Sequence, residues 1–266
     1  MATSSTSAAE PDLSQAFFRF YAELNDFLPP EKRGCTFPYT FLVSGSVKDM
    51  IQALGIPHTE VELILVDGRS VDFDYQVQDG DRISVYPVFE SFDVAPLVRV
   101  RPEPLRETRF VLDTHLGKLA TYLRLFGFDS LYRNDYEDAE LARISDEEGR
   151  ILLTKDHHLL KRNRVQHGYY VRAIDAREQL IEVLTRFHLF RSAKPFTRCL
   201  RCNGLLQPVP KEDVCDRLPP RTKQYYDEFR RCETCGRIYW KGSHYRRMRK
   251  FVEEVLAEDG AGVDGE

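Results

Sequence analysis

The sequence predicts a mixed α/β protein built in three parts, and three observations predict it. Apolar runs alternate with helical patterns between residues 108 and 192, which implies a parallel sheet with helices on its faces. Residues 15–94 read as strands flanking one short helix. Two CxxC pairs follow, Cys199/Cys202 and Cys232/Cys235. Charge divides the chain in the same way. Lys plus Arg against Asp plus Glu stands at 6 to 15 over residues 1–95, 15 to 15 over 96–184 and 17 to 6 over 185–250. A net charge of −4 thus hides one acidic and one basic segment, and the basic one suits a polyanionic partner.

Several classes are excluded or disfavoured. No run approaches the ~18 apolar residues of a membrane span, so no membrane partner is expected. The opening "MATSSTSAAEPDLS" has neither a charged start nor an apolar centre, so it is not a signal peptide and a cytoplasmic chain is expected. Residues 1–14 and 257–266 read as polar, disordered tails.

In the first part, "FFRFYAEL" and "TFPYTFLV" read as strands rich in aromatic and β-branched residues. In "SGSVKDMIQALG" the residues Val47, Met50, Ile51 and Leu54 have helical spacing, and Gly55 suits the position after the last turn. "VELILVDGRSV" gives strand, turn and strand, and "VQDGDRISVYPV" a turn and a closing strand. This order resembles a β-grasp, or ubiquitin-like, domain over residues 15–94, and its ending is similar to the sulfur-carrier branch of that fold. Those carriers end in Gly-Gly, whereas this chain continues "FESFDVAPL". A docking or structural role is therefore expected, with a protein partner. "APLVRVRPEPLRE" (95–107) carries three prolines and reads as a linker.

In the second part, "RFVLD" and "RILLTKD" are apolar runs that each deliver an aspartate, Asp113 and Asp156. Between them, Leu116, Leu119, Leu123 and Phe126 form one helical stripe ended by Gly127, and "DAELARISDEEG" reads as another helix. Functional groups gather beyond the carboxyl ends of parallel strands. Carboxylates that converge there, with Asp138 or Glu140 added, repel unless a cation neutralises them, and Mg²⁺ or Mn²⁺ is the usual one. Asp138 and Glu140 are two apart on a helix, so only one is expected to reach the metal. The alternative is that Asp113 and Asp156 are helix caps. Asp175 with Glu178 reads as a capping box. Lys155, Lys161 and Arg162 flank the site as candidate phosphate contacts, or as solvated surface. His157 and His158 read as surface, with acid–base work as the alternative.

In the third part, two CxxC knuckles complete a tetrahedral four-cysteine site, Cys199, Cys202, Cys232 and Cys235, for a structural Zn²⁺. Cys35 and Cys215 read as free thiols. Aromatic and basic residues intermingle around the knuckles. Arg230, Arg231, Trp240, Lys241, His244, Tyr245, Arg246 and Arg247 are the candidate contacts to single-stranded RNA, through stacking and phosphate pairing.

"LDTHLGKLATYLR", then "LLTKD", then "RCLRC" and "CETCGRIYWKGSHY", in that order, resemble the Mut7-C RNase family over residues 108–250. The ubiquitin-like part resembles the domain often fused ahead of it. The resemblance implies a PIN-like three-layer α/β/α domain (108–192) followed by a zinc ribbon with a C-terminal helix (193–256). It further implies hydrolysis of RNA by a metal-bound water. Asp113 and Asp156 match the core acidic pair, and Asp138 opens the acidic helix, with Glu140 beside it. The rivals are a non-catalytic RNA-binding protein, in which these carboxylates are caps, and a protein-interaction adaptor.

Overall fold

The computed structural model describes residues 13–87 and 108–260. The tail read over 1–14 lies outside the described residues up to residue 12, and the tail over 257–266 does so from residue 261. The linker over 95–107 and the "FESFDVAPL" continuation lie wholly outside them. Contacts divide the chain into two units, Met1–Pro104 and Leu105–Glu266. Among the described residues, no helix is long and apolar enough to cross a membrane.

The first unit is a five-stranded sheet in the order β2-β1-β5-β3-β4, built from β1 (Ser14–Phe20), β2 (Phe37–Phe41), β3 (Val61–Val66), β4 (Arg69–Val71) and β5 (Arg82–Pro87). The central β1 and β5 run parallel and the other pairs antiparallel, which is the ubiquitin-like arrangement. Helix α1 (Val47–Ala53) starts where the Ser46 hydroxyl accepts the Asp49 N–H at 3.1 Å. Its Val47, Met50 and Ile51 bury against Phe18, Phe20, Ile64 and Val85. Asp67 and Gly68 both have positive φ (47° and 79°), as a tight hairpin between β3 and β4 requires.

The second unit holds a four-stranded, all-parallel sheet in the order β7-β6-β8-β9, from β6 (Arg109–Leu112), β7 (Asp129–Leu131), β8 (Ile151–Thr154) and β9 (Gly168–Tyr170). Its helices are α2 (Gly117–Leu125), α3 (Asp138–Glu147), the short α4 (His157–Leu160) and α5 (Ala176–Arg186). The central strands β6 and β8 are apolar over most of their length because both faces are covered, whereas the edge strand β7 opens with Asp129 and Ser130. Phe110, Leu112, Ile151 and Leu153 point into one core with Leu116, Leu119, Leu123 and Phe126 of the predicted stripe and Leu180 of α5. Val111 and Leu152 point the other way, against Leu141 and Ile144 of α3 and Leu159 and Leu160 of α4.

A three-stranded antiparallel sheet follows: β10 (Leu206–Val209), β11 (Phe229–Cys232) and β12 (Ile238–Trp240), with α6 (Pro220–Tyr225) between its first two strands. The sequence groups the last helix, α7 (Ser243–Leu256), with the ribbon. Its Val252 and Val255 bury instead in the α/β core, and Phe251 packs on Tyr122 and Phe126 at ring distances of 4.7 and 6.3 Å. The ribbon is thus an excursion between two helices of one core.

The ribbon departs beside Gly127. Lys194 and Phe196 donate backbone N–H bonds to Phe126 O (2.8 Å) and Leu125 O (2.9 Å). Gly127 has φ +93°, and a Cβ there would sit 2.2 Å from Lys194 O. Gly127→Ala is therefore expected to cost more than about 1 kcal/mol, read as a lower urea midpoint; an unchanged midpoint contradicts this account.

Candidate active site and metal centre

The chain leaves β6 for β7 on one side and returns to β8 on the other. The crevice beyond the carboxyl ends of β6 and β8 is where such sheets bind ligands. Leu112 pairs with Leu153, so Asp113 stands level with Thr154. Asp113 is only 5% exposed. Its Oδ1 accepts the His115 N–H at 2.8 Å, and its Oδ2 accepts the Thr154 hydroxyl and the Lys155 N–H, the latter at 2.8 Å. The same Thr154 oxygen accepts the Asp156 N–H at 2.8 Å. A single buried hydroxyl therefore joins the Asp113 side chain to the Asp156 backbone. Each aspartate also caps the turn after it: Asp113 caps the single 3-10 turn Thr114–Leu116 ahead of α2, and Asp156 caps α4, its Oδ1 accepting the His158 N–H at 2.8 Å. Asp175 likewise caps α5 through the Arg177 N–H.

Asp138 and Glu140 both lie in the first turn of α3. Asp138 is exposed and 3.4 Å from Arg162, while Glu140 is half-buried and 3.8 Å from Arg133. Among the described residues, neither joins Asp113 and Asp156 in a group of three or more converging metal ligands; the cysteine quartet alone forms one. Lys155 turns its ammonium to the Arg172 and Ala173 carbonyls (3.4 and 2.7 Å), so it braces the loop after β9. Lys161 is half-buried, and burial lowers its pKa. Burial, then His158 and Lys161, push His157 below the ordinary imidazole value against the pull of Asp156. Because each helix follows a parallel strand, the starts of α2, α3, α4 and α5 all gather at this end of the sheet, where free N–H groups favour anions.

The four predicted zinc ligands converge, with all four sulfurs within 4.8 Å of one another. Cys199 and Cys235 are 3.6 Å apart and Cys202 and Cys232 3.4 Å. Zinc–sulfur bonds of about 2.3 Å at tetrahedral angles put sulfurs slightly under 4 Å apart, so the set fits a Zn²⁺. A Cβ on Gly204 would approach Cys232 Sγ to 2.9 Å, which explains the glycine after the first knuckle. Cys199 and Cys202 titrate in opposite directions. Burial raises the Cys199 thiol, but hydrogen bonds from the Tyr239 hydroxyl and the Cys202 and Arg201 N–H groups outweigh it and bring it to about 6. Burial, then the neighbouring thiols, push Cys202 up to about 12. Cys35 and Cys215 make no disulfide.

The first knuckle is bolted to the edge strand β7. Asn203 accepts the Ser130 N–H at 3.0 Å and donates to Asp129 at 2.9 Å. Asp129 also meets Arg150 (2.6 Å) and Arg198 (3.3 Å). Burial alone would raise its pKa, but Arg150, Asn203 and Arg198 prevail and hold it below the usual carboxylate range. Arg124 donates to Ser130 O and to the Leu200 and Arg201 carbonyls. Asp129 and Arg150 stand at the amino ends of the strands, the opposite end of the sheet from Asp113. Of the candidate RNA contacts, Arg230, Arg231, Lys241, His244, Arg246 and Arg247 are exposed and Trp240 and Tyr245 half-buried.

Sequence reasoning missed Thr154 and this Asp129–Asn203 lock. A hydroxyl two residues before a strand-end aspartate was a visible signal for the first. Nothing local signalled the second, which joins residues 74 apart.

A parallel sheet with paired aspartates beyond its strand ends, carrying a four-cysteine ribbon, belongs to the class of ribonuclease-type α/β domains that the family comparison defines. Residues 108–252, more than half of the chain, match the Mut7-C RNAse domain, and residues 13–93 match the Mut7-C ubiquitin domain. The chain belongs to the Mut7-C RNAse domain family. Comparison with curated proteins and with solved structures returned no match.

Proposed function

We propose that this chain is a metal-dependent ribonuclease of PIN-like type that hydrolyses RNA phosphodiester bonds, with Asp113 and Asp156 as its metal-holding pair. The observation that carries the reading is the pair itself, tied through Thr154 at the sheet's switch point in a chain of an RNAse family. Mg²⁺ or Mn²⁺ suits this donor set, because such ions are commonly held by one or two carboxylates, with water and substrate phosphate completing the shell. When bound, the ion would activate a water and offset the charge that builds on the phosphate. Asp138 and Glu140, at the start of α3 on the same end of the sheet, remain the candidates for the third acid. Thr154 and the Lys155 N–H fix the Asp113 carboxylate, and the gathered helix starts draw the phosphate backbone. The zinc ribbon, with its cationic surface, grips the RNA. The ubiquitin-like unit docks a protein partner; its exposed Leu42 and Val43, beyond edge strand β2, offer the apolar contact.

The test is cleavage of a labelled single-stranded RNA by the pure chain with Mn²⁺, with Mg²⁺ and without either ion. Cleavage that needs the ion supports the reading, and equal cleavage without it refutes metal dependence. A second reading is favoured by the caps that Asp113 and Asp156 make: a non-catalytic RNA-binding protein, for which RNA is bound and never cut.

A further inference from the structure

Between the ribbon sheet and α7 runs a cleft of about 760 Å³, within the roughly 300–1,000 Å³ of small-ligand pockets. Phe196, Trp240, Tyr245 and Met248 line it, together with Arg230 and Lys241. The geometry points to this cleft as the seat of unpaired RNA bases, a single-strand subsite separate from the aspartates. The inference rests on the ribonuclease reading for the identity of the polymer.

Four observations favour flat bases on a phosphate backbone over another occupant. The walls are aromatic: the Phe196 and Tyr245 rings lie 4.5 Å apart, tilted by 44°. Phe196 is held at φ +62°, a conformation that costs a bulky residue free energy. The Leu125 carbonyl, which accepts its N–H, and Arg230, which donates to its carbonyl at 3.3 Å, keep it there. Among the described residues, no acceptor takes the Trp240 indole N–H or the Tyr245 hydroxyl, so both can meet the polar edge of a base or a ribose. The charge also fits. Two acids lining the cleft are neutralised, Asp227 by Lys211 at 2.8 Å and Glu228 by Lys241 at 2.5 Å. Arg230, which lines the cleft, has no carboxylate partner among the described residues and stands exposed beside the aromatic wall. A duplex, whose bases are already stacked on one another, cannot use such walls.

Trp240 is the chain's single tryptophan, so its fluorescence reports on the cleft without any substitution. The full-length, zinc-loaded chain is titrated with an oligouridylate, with an RNA duplex and with an acidic peptide, in the absence of Mg²⁺ and Mn²⁺. The oligouridylate is expected to quench Trp240 and the duplex to do so at least tenfold more weakly. Tyr245→Ala, with zinc content unchanged, is expected to weaken oligouridylate binding about tenfold, the loss of one stacked base. Oligouridylate binding with Trp240 fluorescence and the Tyr245→Ala affinity both unchanged overturns the subsite. So does quenching by the acidic peptide alone, which makes the cleft a protein site. RNA cleavage is assayed separately: quenching without cleavage keeps the subsite and refutes the nuclease, and cleavage without quenching does the reverse.

Discussion

Asp156→Asn is expected to lower metal-dependent RNA cleavage about a thousandfold while leaving the melting temperature unchanged. The loss follows, on the proposed mechanism, from removing one of the two carboxylates proposed to hold the metal: several kcal/mol of transition-state stabilisation, at about 1.4 kcal/mol per decade of rate. The unchanged stability follows from the cap. Asp156 meets the His158 N–H through one oxygen, and asparagine caps as well as aspartate. Asp113→Asn is expected to lose cleavage as well, but at a structural cost. The Asp113 carboxylate accepts from His115 N–H, Lys155 N–H and the Thr154 hydroxyl. An amide has one acceptor oxygen, so its NH₂ must face a donor N–H in a buried site, at about 1–3 kcal/mol. Cleavage kinetics beside thermal melts separate the two. Full activity in Asp156→Asn would return Asp156 to capping alone.

Cys232→Ser is expected to abolish zinc binding and to melt the ribbon sheet. Structural Zn²⁺ contributes about 10–16 kcal/mol of apparent binding free energy, far more than a sheet of three short strands supplies by itself. The variant should contain no zinc by metal analysis and should be cut by protease between residues 199 and 240, whereas the parent resists. A variant that retains zinc and resistance would remove the site. The chain should also release protons on zinc uptake at pH 7. Cys199, at about 6, is already a thiolate there, but Cys202, at about 12, must give up its proton. The depressed Cys199 value stabilises the metal-free fold above the ordinary thiol pKa of 9.0, and that contribution is lost as pH falls through about 6. The raised Cys202 value acts oppositely, stabilising below 9.0 and losing its effect as pH rises towards about 12. For zinc itself, affinity falls as pH falls, because only thiolates bind it. Proton release in weakly buffered solution measures this.

Much of the second unit was legible because its signals are local. The stripe Leu116, Leu119, Leu123 and Phe126 is wholly buried, and the apolar runs before Asp113 and Asp156 are neighbouring parallel strands. The CxxC spacing fixed the zinc ligands, since a knuckle is itself a short-range device. What escaped depends on register and on distant partners. Pairing of Leu112 with Leu153 puts Thr154, not Asp156, level with Asp113, and no spacing along the chain encodes that offset. Nor does the chain say which surface α7 covers: its Met248, Val252 and Val255 pack in the α/β core, not on the ribbon it follows in sequence. The partners of Asp138 and Glu140, Arg162 and Arg133, are likewise set by tertiary placement.

The return of α7 to the α/β core fixes what can be cut from this chain. A protein stopped before the first knuckle would lose Phe251, Val252 and Val255 and leave the apolar flank of Tyr122 and Phe126 open to water. Such a fragment should aggregate rather than work as a minimal nuclease. Excising the ribbon internally, with residue 197 spliced to residue 242 by a short flexible bridge, would keep that wall. Both ends of the ribbon are pinned to one body, so it is a fixed appendage that cannot be shed from the carboxyl end.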